Sequence, residues 1–318
     1  MSDDDSLRNP FPHRRSPYHA EATELHRAWL ERHPLLHADG SVGHTGYAHW
    51  DVVDLAALGY PDSGPEELAL AADLMGFYFL FDDQFDGPLG RRPAEVAAIC
   101  DRLAAIIHGA KPDPHSPAET AFDDLWRRST LGMPARWRAR AAYNWEWYFA
   151  SHPAEAAGRI SERPPDRDGY LALRRGTAAM ETIFDMIERL GRFEVPLAAH
   201  HHPLLRQLRQ LAADIPSLSN DVRSYPKEAP TGDVNNLVMI VQRERGCSAD
   251  AACTLVMAEA QLMIARCADL VTQLPEAYRM LSLDQDQQER ARRYATGLTD
   301  WLAGYLHWEA RTGRYRVA

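Results

Sequence analysis

Cysteine is scarce. Four occur in 318 residues, Cys100, Cys247, Cys253 and Cys267, and none forms a CxxC pair. That argues against a disulfide scaffold or a zinc site and fits free thiols in a cytoplasmic protein. No continuous apolar run of about 18 residues stands out, so no membrane span is expected. The N-terminal MSDDDSLRNPFPHRRSP is acidic and polar, with no apolar segment of the kind a secretory signal needs. A dense basic stripe is also missing, and the formal net charge is -10, which excludes a nucleic-acid partner. Neither an internal repeat nor a convincing strand-like alternation is present.

Helix-forming residues dominate instead. Apolar positions recur at three and four residues, and 45% of the chain is hydrophobic, enough for one large core. The pattern predicts helices over 18–32, 64–86, 92–109, 117–131, 134–151, 168–191, 202–228, 233–245, 248–274 and 285–312. The start near 64 is marked by 62-DSGPEE-67, with capping residues, an early proline and first-turn acids. Pro153, Pro164 and Pro165 mark 153–167 as a loop. Similar composition on both sides argues for one all-α domain, a single helical bundle over 17–318, behind a mobile tail at 1–16.

One stretch carries a contradiction. In 77-FYFLFDDQFDG-87 a buried-looking helix runs into three acids. Residues i and i+4 differ by about 40° around a helix, which gives Asp82 and Asp86 a common face and leaves Asp83 to the side. Like charges at the mouth of an apolar bundle need a cation, and a few carboxylate oxygens suit Mg2+. A second stretch, 219-SNDVRSYPKE-228, repeats the logic. Asn220, Ser224 and Glu228 recur every fourth residue and form an oxygen-only set, again apt for Mg2+. Pro226 interrupts that set and predicts a kink or an unwinding helix. Phe79, one turn before Asp82, is the leading aromatic of the pocket beneath. The run 200-HHH-202 points its rings in different directions and is not read as a metal site.

These two motifs together resemble those of a bacterial class I terpene cyclase. The resemblance extends to Arg174 in 170-YLALRRGTAAM-180, 46 positions before Asn220, and to Arg314-Tyr315 in 311-RTGRYRVA-318. It covers nearly all of the chain past residue 10. It implies the class I terpenoid synthase fold and three Mg2+ ions, held by Asp82, Asp86, Asn220, Ser224 and Glu228. It further implies Mg2+-dependent ionisation of a linear prenyl diphosphate, with Asp82 and Arg174 as the catalytic pair. Arg174, Lys227, Arg314 and Tyr315 match the family's pyrophosphate donors. Trp308, six residues before Arg314, falls where the family often places a pocket tryptophan, and Trp301 is read as core. Thr177 and Ala178 fall near the family's helix break, where a carbonyl faces the cation. Arg175, about 100° from Arg174, is read as structural.

The implied activity is a sesquiterpene cyclase acting on farnesyl diphosphate. A diterpene cyclase acting on geranylgeranyl diphosphate is the alternative. A prenyl elongating synthase would carry a second aspartate-rich motif where Asn220, Ser224 and Glu228 stand, and a non-catalytic binding module would not need every motif intact. A monomer or homodimer is expected, with the C-terminus from about residue 311 loose until pyrophosphate binds.

Overall fold

The computed structural model describes residues 7–37, 44–161, 165–231 and 234–315. Among these residues the chain is all-α, with no strand. In order the helices are α1 (His19–Arg32), α2 (His44–Ala48), α3 (Val52–Gly59), α4 (Pro65–Asp83), α5 (Pro93–Ile107), α6 (Pro117–Thr130) and α7 (Ala135–Ile160). They continue with α8 (Arg167–Thr177), α9 (Met180–Gly191), α10 (Leu197–His200), α11 (Pro203–Glu228), α12 (Leu237–Arg245), α13 (Ala249–Met280) and α14 (Gln285–Glu309).

α4 begins as the sequence suggests, with Pro65 in its first turn and Glu66 and Glu67 beside the N-terminal dipole. Leu68 through Tyr78, then Leu80 and Phe81, are all buried. A helix apolar on every side has to be central, and α4 packs among α1, α3, α6 and α9. α5 lies on α7, α11 on α13, and α14 bridges α3 and α11. α14 opens with a full capping box, Asp284 and Gln287 satisfying each other's backbone N–H groups.

Five boundaries differ from the sequence expectation. The short helices α2 and α3 precede α4 unannounced, because five and eight residues are too few to display a period. α7 runs through Pro153 to Ile160, so the expected loop shrinks to its end, and 162–164 lie outside the described residues. α13 likewise continues through Pro275 to Met280. A proline forfeits one helix hydrogen bond, and packing on a neighbour offsets that loss. The helix expected from the apolar pattern over 168–191 is broken at Ala178–Ala179, beside the Thr177 and Ala178 where the resemblance placed a helix break, and Ala179 adopts φ 57°. A left-handed alanine costs about 1 kcal/mol or more, and no glycine advertises it. Lastly, the expected mobile tail is tied down from residue 8. Arg8 exchanges two hydrogen bonds with Gln261, Arg14 pairs with Asp62 and Asp300, and Ser16 N donates to Ala57 O.

Among the described residues, α13 alone is long and apolar enough to cross a membrane by length and composition. One face of it, Ala252, Val256, Ala260, Ile264, Cys267, Leu270 and Leu274, is buried at helical spacing, and α13 packs on α11. That is the pattern of an amphipathic bundle helix.

α3 and α14 approach very closely. A Cβ at Gly304 would stand 2.6 Å from the Leu58 carbonyl carbon and oxygen, both backbone atoms of a helix. We expect Gly304→Ala to cost about 3 kcal/mol and to lower Tm by roughly 5–10 °C, since backbone cannot yield as a side chain does. Thermal unfolding of the variant checks this. An unchanged Tm would mean that α14 shifts freely on α3.

Candidate active site

A cavity opens at one end of the bundle, where α4, α11, α14 and the break between α8 and α9 converge. Helix order gives it depth. Asp86, Lys227, Glu228, Arg159 and Arg314 line its mouth, Met75 on α4 and Pro216 on α11 lie about two turns or more further in, Trp301 lies further back along α14, and Leu55 and Ile183 line it from α3 and α9. Phe79, Tyr78, Tyr148, Thr177, Ala178 and Tyr305 form the wall between. The upper half is charged and the lower half is aromatic and aliphatic.

The acids stand at the mouth, although not as one helical face. α4 ends at Asp83, and Phe85 N and Asp86 N close turns onto Asp82 O and Asp83 O. Asp86 therefore reaches the cavity from a turn, where the i, i+4 argument does not apply. The exposed part of Asp82 faces this cavity. Burial, followed by the neighbouring Glu155, Asp86 and Asp83, pushes its carboxyl up to about 8. Asp83 is not aside from the action. Arg314 grips it with both terminal nitrogens, at 3.2 and 2.6 Å. Lys227 Nζ donates to Asp86 Oδ2 at 2.9 Å.

The second motif faces the first. α11 is uninterrupted to Glu228, so Pro226 neither ends nor unwinds it, and Asn220, Ser224 and Glu228 all line the cavity from one helix. Asn220 Oδ1 accepts from Arg174 Nη2 at 2.7 Å, and its Nδ2 donates to the Tyr315 hydroxyl, also at 2.7 Å. Arg174 is further held by Asp221, 3.5 Å away. Asp221 in turn accepts from Tyr170 and from Leu237 N. Glu228 accepts from Asn236 Nδ2 at 2.9 Å, and burial together with Asp221 raises its carboxyl. Arg175 forks onto Asp214 at 2.7 and 2.8 Å, away from the cavity, as a structural residue should.

The C-terminal segment is docked through residue 315 rather than loose. Thr312 Oγ1 donates to Trp50 O, Gly313 N donates to His49 O, and the Arg314 guanidinium lies 4.3 Å from the Trp50 ring centroid and 4.4 Å from that of Phe79. Residues 316–318 lie outside the described residues.

The two tryptophans exchange their expected places. Trp308 is buried behind Phe79, stacked on it at 5.7 Å, and donates its N–H to Trp50 O. It supports the wall without lining it. Trp301 lines the floor, where Gly59 leaves room for its ring; a Cβ there would stand 2.7 Å from Trp301 Cε3. Both positions belong to one helical stripe, and spacing alone does not say which turn reaches the cavity. Glu155, Arg159 and Asn235 also line the cavity and went unread, the first two because they lie within the segment taken for a loop, and Asn235 because it stands in the expected helix 233–245 with no motif around it. His152 was given no role. It is buried 3.9 Å from Asp82, and burial, with Arg159, drives its pKa down to about 3, so it is neutral.

A buried carboxylate braces the same end of the bundle. Glu309 accepts from Arg223 at 3.0 Å and from Tyr305 at 3.2 Å, and it also accepts from Ser219. Burial nevertheless pushes it up to about 7. The folded state thus binds a proton more tightly than the unfolded chain. Stability from this group is full below the unfolded value near 4.5 and falls as pH rises through 7. Denaturant midpoints should decline over that window, and Glu309→Gln should flatten the decline by about 1–2 kcal/mol. Parallel pH profiles for the two proteins would contradict this.

Taken together, the arrangement is a charged rim of oxygen ligands and cations over an aromatic well. Comparison with known proteins agrees. The profile of the family "Terpene synthase family 2, C-terminal metal binding" matches residues 73–266. Pentalenene synthase of Streptomyces arenae is 35% identical over 99% of this chain and 94% of its own. A (-)-beta-caryophyllene synthase of Saccharothrix espanaensis, described as (2E,6E)-farnesyl diphosphate cyclizing, is 34% identical over 96% of this chain and 87% of its own. The crystal structure of germacradien-4-ol synthase from Streptomyces citricolor superposes with a TM-score of 0.91. It is 63% identical and covers 98% of this chain and 100% of that one. The chain belongs to the terpene synthase family, and it is a class I terpene cyclase.

Proposed function

We propose that the protein converts farnesyl diphosphate to a cyclic sesquiterpene and pyrophosphate, using three Mg2+ ions. The observation that carries this reading is the meeting of Asp82 and Asp86 with Asn220, Ser224 and Glu228 at the mouth of one aromatic cavity. The substrate choice is supported by the farnesyl diphosphate relative.

The donors fit such ions. All are oxygen, and the raised Asp82 carboxyl marks negative charge without enough compensation. Asp83 and Asp86 meanwhile borrow Arg314 and Lys227. When bound, Mg2+ supplies Lewis-acid neutralisation of charge gathering on the diphosphate oxygens. Arg174, Lys227, Arg314 and Tyr315 donate to those same oxygens, more strongly as the C–O bond breaks, which favours the transition state over the ground state. Phe79, Tyr78, Tyr148 and Trp301 then face the carbocation with their π clouds. The aromatic walls keep bulk water away from it. Arg174 and Tyr315 are joined through Asn220, so ligand contacts at one end reach the other.

The test is incubation with geranyl, farnesyl and geranylgeranyl diphosphates, with and without Mg2+, reading pyrophosphate and volatile products. Farnesyl diphosphate with Mg2+ should give a sesquiterpene at the highest kcat/KM. Higher kcat/KM on geranylgeranyl diphosphate, or no pyrophosphate from any of them, overturns the reading.

A further inference from the structure

The wall of the cavity contains a chemical mismatch. Tyr148 is 2% exposed and Thr177 is 5% exposed, both line the cavity, and neither hydroxyl has a hydrogen-bond partner among the described residues. Two other hydroxyls of the same wall differ. The Tyr78 hydroxyl is paired with Thr182 at 2.7 Å, and the Tyr305 hydroxyl with Glu309. A buried hydroxyl left without a partner costs about 1–3 kcal/mol. Such groups in native proteins are ordinarily satisfied by an internal water. An apolar cavity otherwise stays dry, so a water goes where partners exist.

Position matters as much as chemistry. Tyr148 lies two turns below Glu155 on α7, and Thr177 is the last residue of α8, at the break beside Ala179. Both stand in the wall below the charged rim. Ser224 Oγ and the Trp301 N–H also line the cavity without a partner; the first belongs to the oxygen set at the rim, and the second differs in kind. An indole N–H only donates, and it would occupy a lone pair on the water oxygen. Hydroxyl oxygens accept. A water giving its two hydrogens to Tyr148 Oη and Thr177 Oγ1 keeps a lone pair free to attack.

We propose that Tyr148 and Thr177 hold a water in the middle of the cavity, and that this water ends the reaction by adding to the carbocation, so that the product is an alcohol. This rests on the sesquiterpene cyclase reading above and deepens it. The bond formed is C–O, from the water oxygen to the cationic carbon. The oxonium then loses one proton, which passes to the pyrophosphate released at ionisation. Atoms and charge balance with no other reactant. The competing outcome is loss of a proton from carbon, which gives a hydrocarbon. The similarity to germacradien-4-ol synthase is consistent with the first outcome.

The test is turnover of farnesyl diphosphate and Mg2+ in 18O-enriched water, with products identified by mass spectrometry. The wild-type product should be a sesquiterpene alcohol carrying the heavy oxygen. Tyr148→Phe keeps the ring and removes only the hydroxyl. Thr177→Val keeps the shape. Each should raise the hydrocarbon-to-alcohol ratio about five-fold or more, the size expected for losing one hydrogen bond to the water. The ratio is read per product molecule and does not depend on rate. A wild-type product that is hydrocarbon only overturns the proposal and leaves the cyclase reading intact. So does an unchanged ratio in both variants, and if Tyr148→Phe fails to fold, Thr177→Val alone decides. Absence of any sesquiterpene would remove the cyclase reading and this inference with it.

Discussion

Asp82→Asn should abolish turnover while leaving the empty protein as stable as the wild type, or more so. The two halves follow from one fact. In the absence of cations the Asp82 carboxyl sits among Glu155, Asp86 and Asp83 at the cavity mouth, and burial with those neighbours pushes it up to about 8. An ionised group in that place is a burden on the fold, which an amide of the same shape removes. The same charge is what a divalent ion needs, and an amide oxygen is a much poorer ligand. The expected loss in kcat/KM is on the order of 10³ or more, comparable to losing a principal electrostatic contact at a developing charge. Two measurements separate the halves. Thermal unfolding without metal should show Tm unchanged or raised. With Mg2+ and pyrophosphate, wild-type Tm should climb by mass action, and the variant should climb far less. A variant that binds Mg2+ and pyrophosphate like the wild type, with near-normal turnover, would remove Asp82 from the site. Asp83→Asn should be milder in rate, because in the structure Asp83 is occupied by Arg314.

Much of this was legible in the sequence, for a physical reason. Metal sites of hard cations demand oxygen donors, and oxygen donors in a long apolar helix are conspicuous. Asp82 at the end of 77-FYFLF-81 and Asn220, Ser224 and Glu228 on α11 stand out because burial of polar groups without function is costly. The bundle was legible too, because α4, α11, α13 and α14 each span many turns and repeat their period. What escaped notice depends on packing. The resemblance placed a helix break near Thr177 and Ala178, but the left-handed φ of 57° at Ala179 was not legible, because no glycine stands there. Pro153 and Pro275 read as breakers, yet their helices continue because neighbours hold them. Trp301 and Trp308 are indistinguishable by spacing. Only the contact of Trp301 with Gly59, and of Trp308 with the Trp50 carbonyl, separates floor from support. Asp86 reaches the mouth by a route that the helical argument did not foresee, since α4 stops three residues short of it.

Arg314→Gln should lower kcat by about 10²–10³ and release early-quenched products, with KM less affected. The argument begins from what holds Arg314 now. Its guanidinium is gripped by Asp83 and packed between the rings of Trp50 and Phe79, and the preceding Thr312 and Gly313 are pinned to the backbone at Trp50 and His49. The C-terminal segment is therefore already folded over the mouth. What changes on binding is the partner of Arg314, from one carboxylate to a more highly charged diphosphate, for which a planar fork is well suited. Glutamine loses the charge and with it both partners. It should free the segment and admit water while the cation forms. Hydrogen exchange over 305–315 reads the first effect. The wild type should be protected even without ligand, and the variant should exchange faster. Product analysis with farnesyl diphosphate reads the second, as a rise in linear and early-hydroxylated compounds. If wild-type exchange there is fast until Mg2+ and pyrophosphate are added, the docking to Asp83 does not persist in solution. If the variant keeps both rate and product profile, Arg314 neither guides ionisation nor seals the cavity.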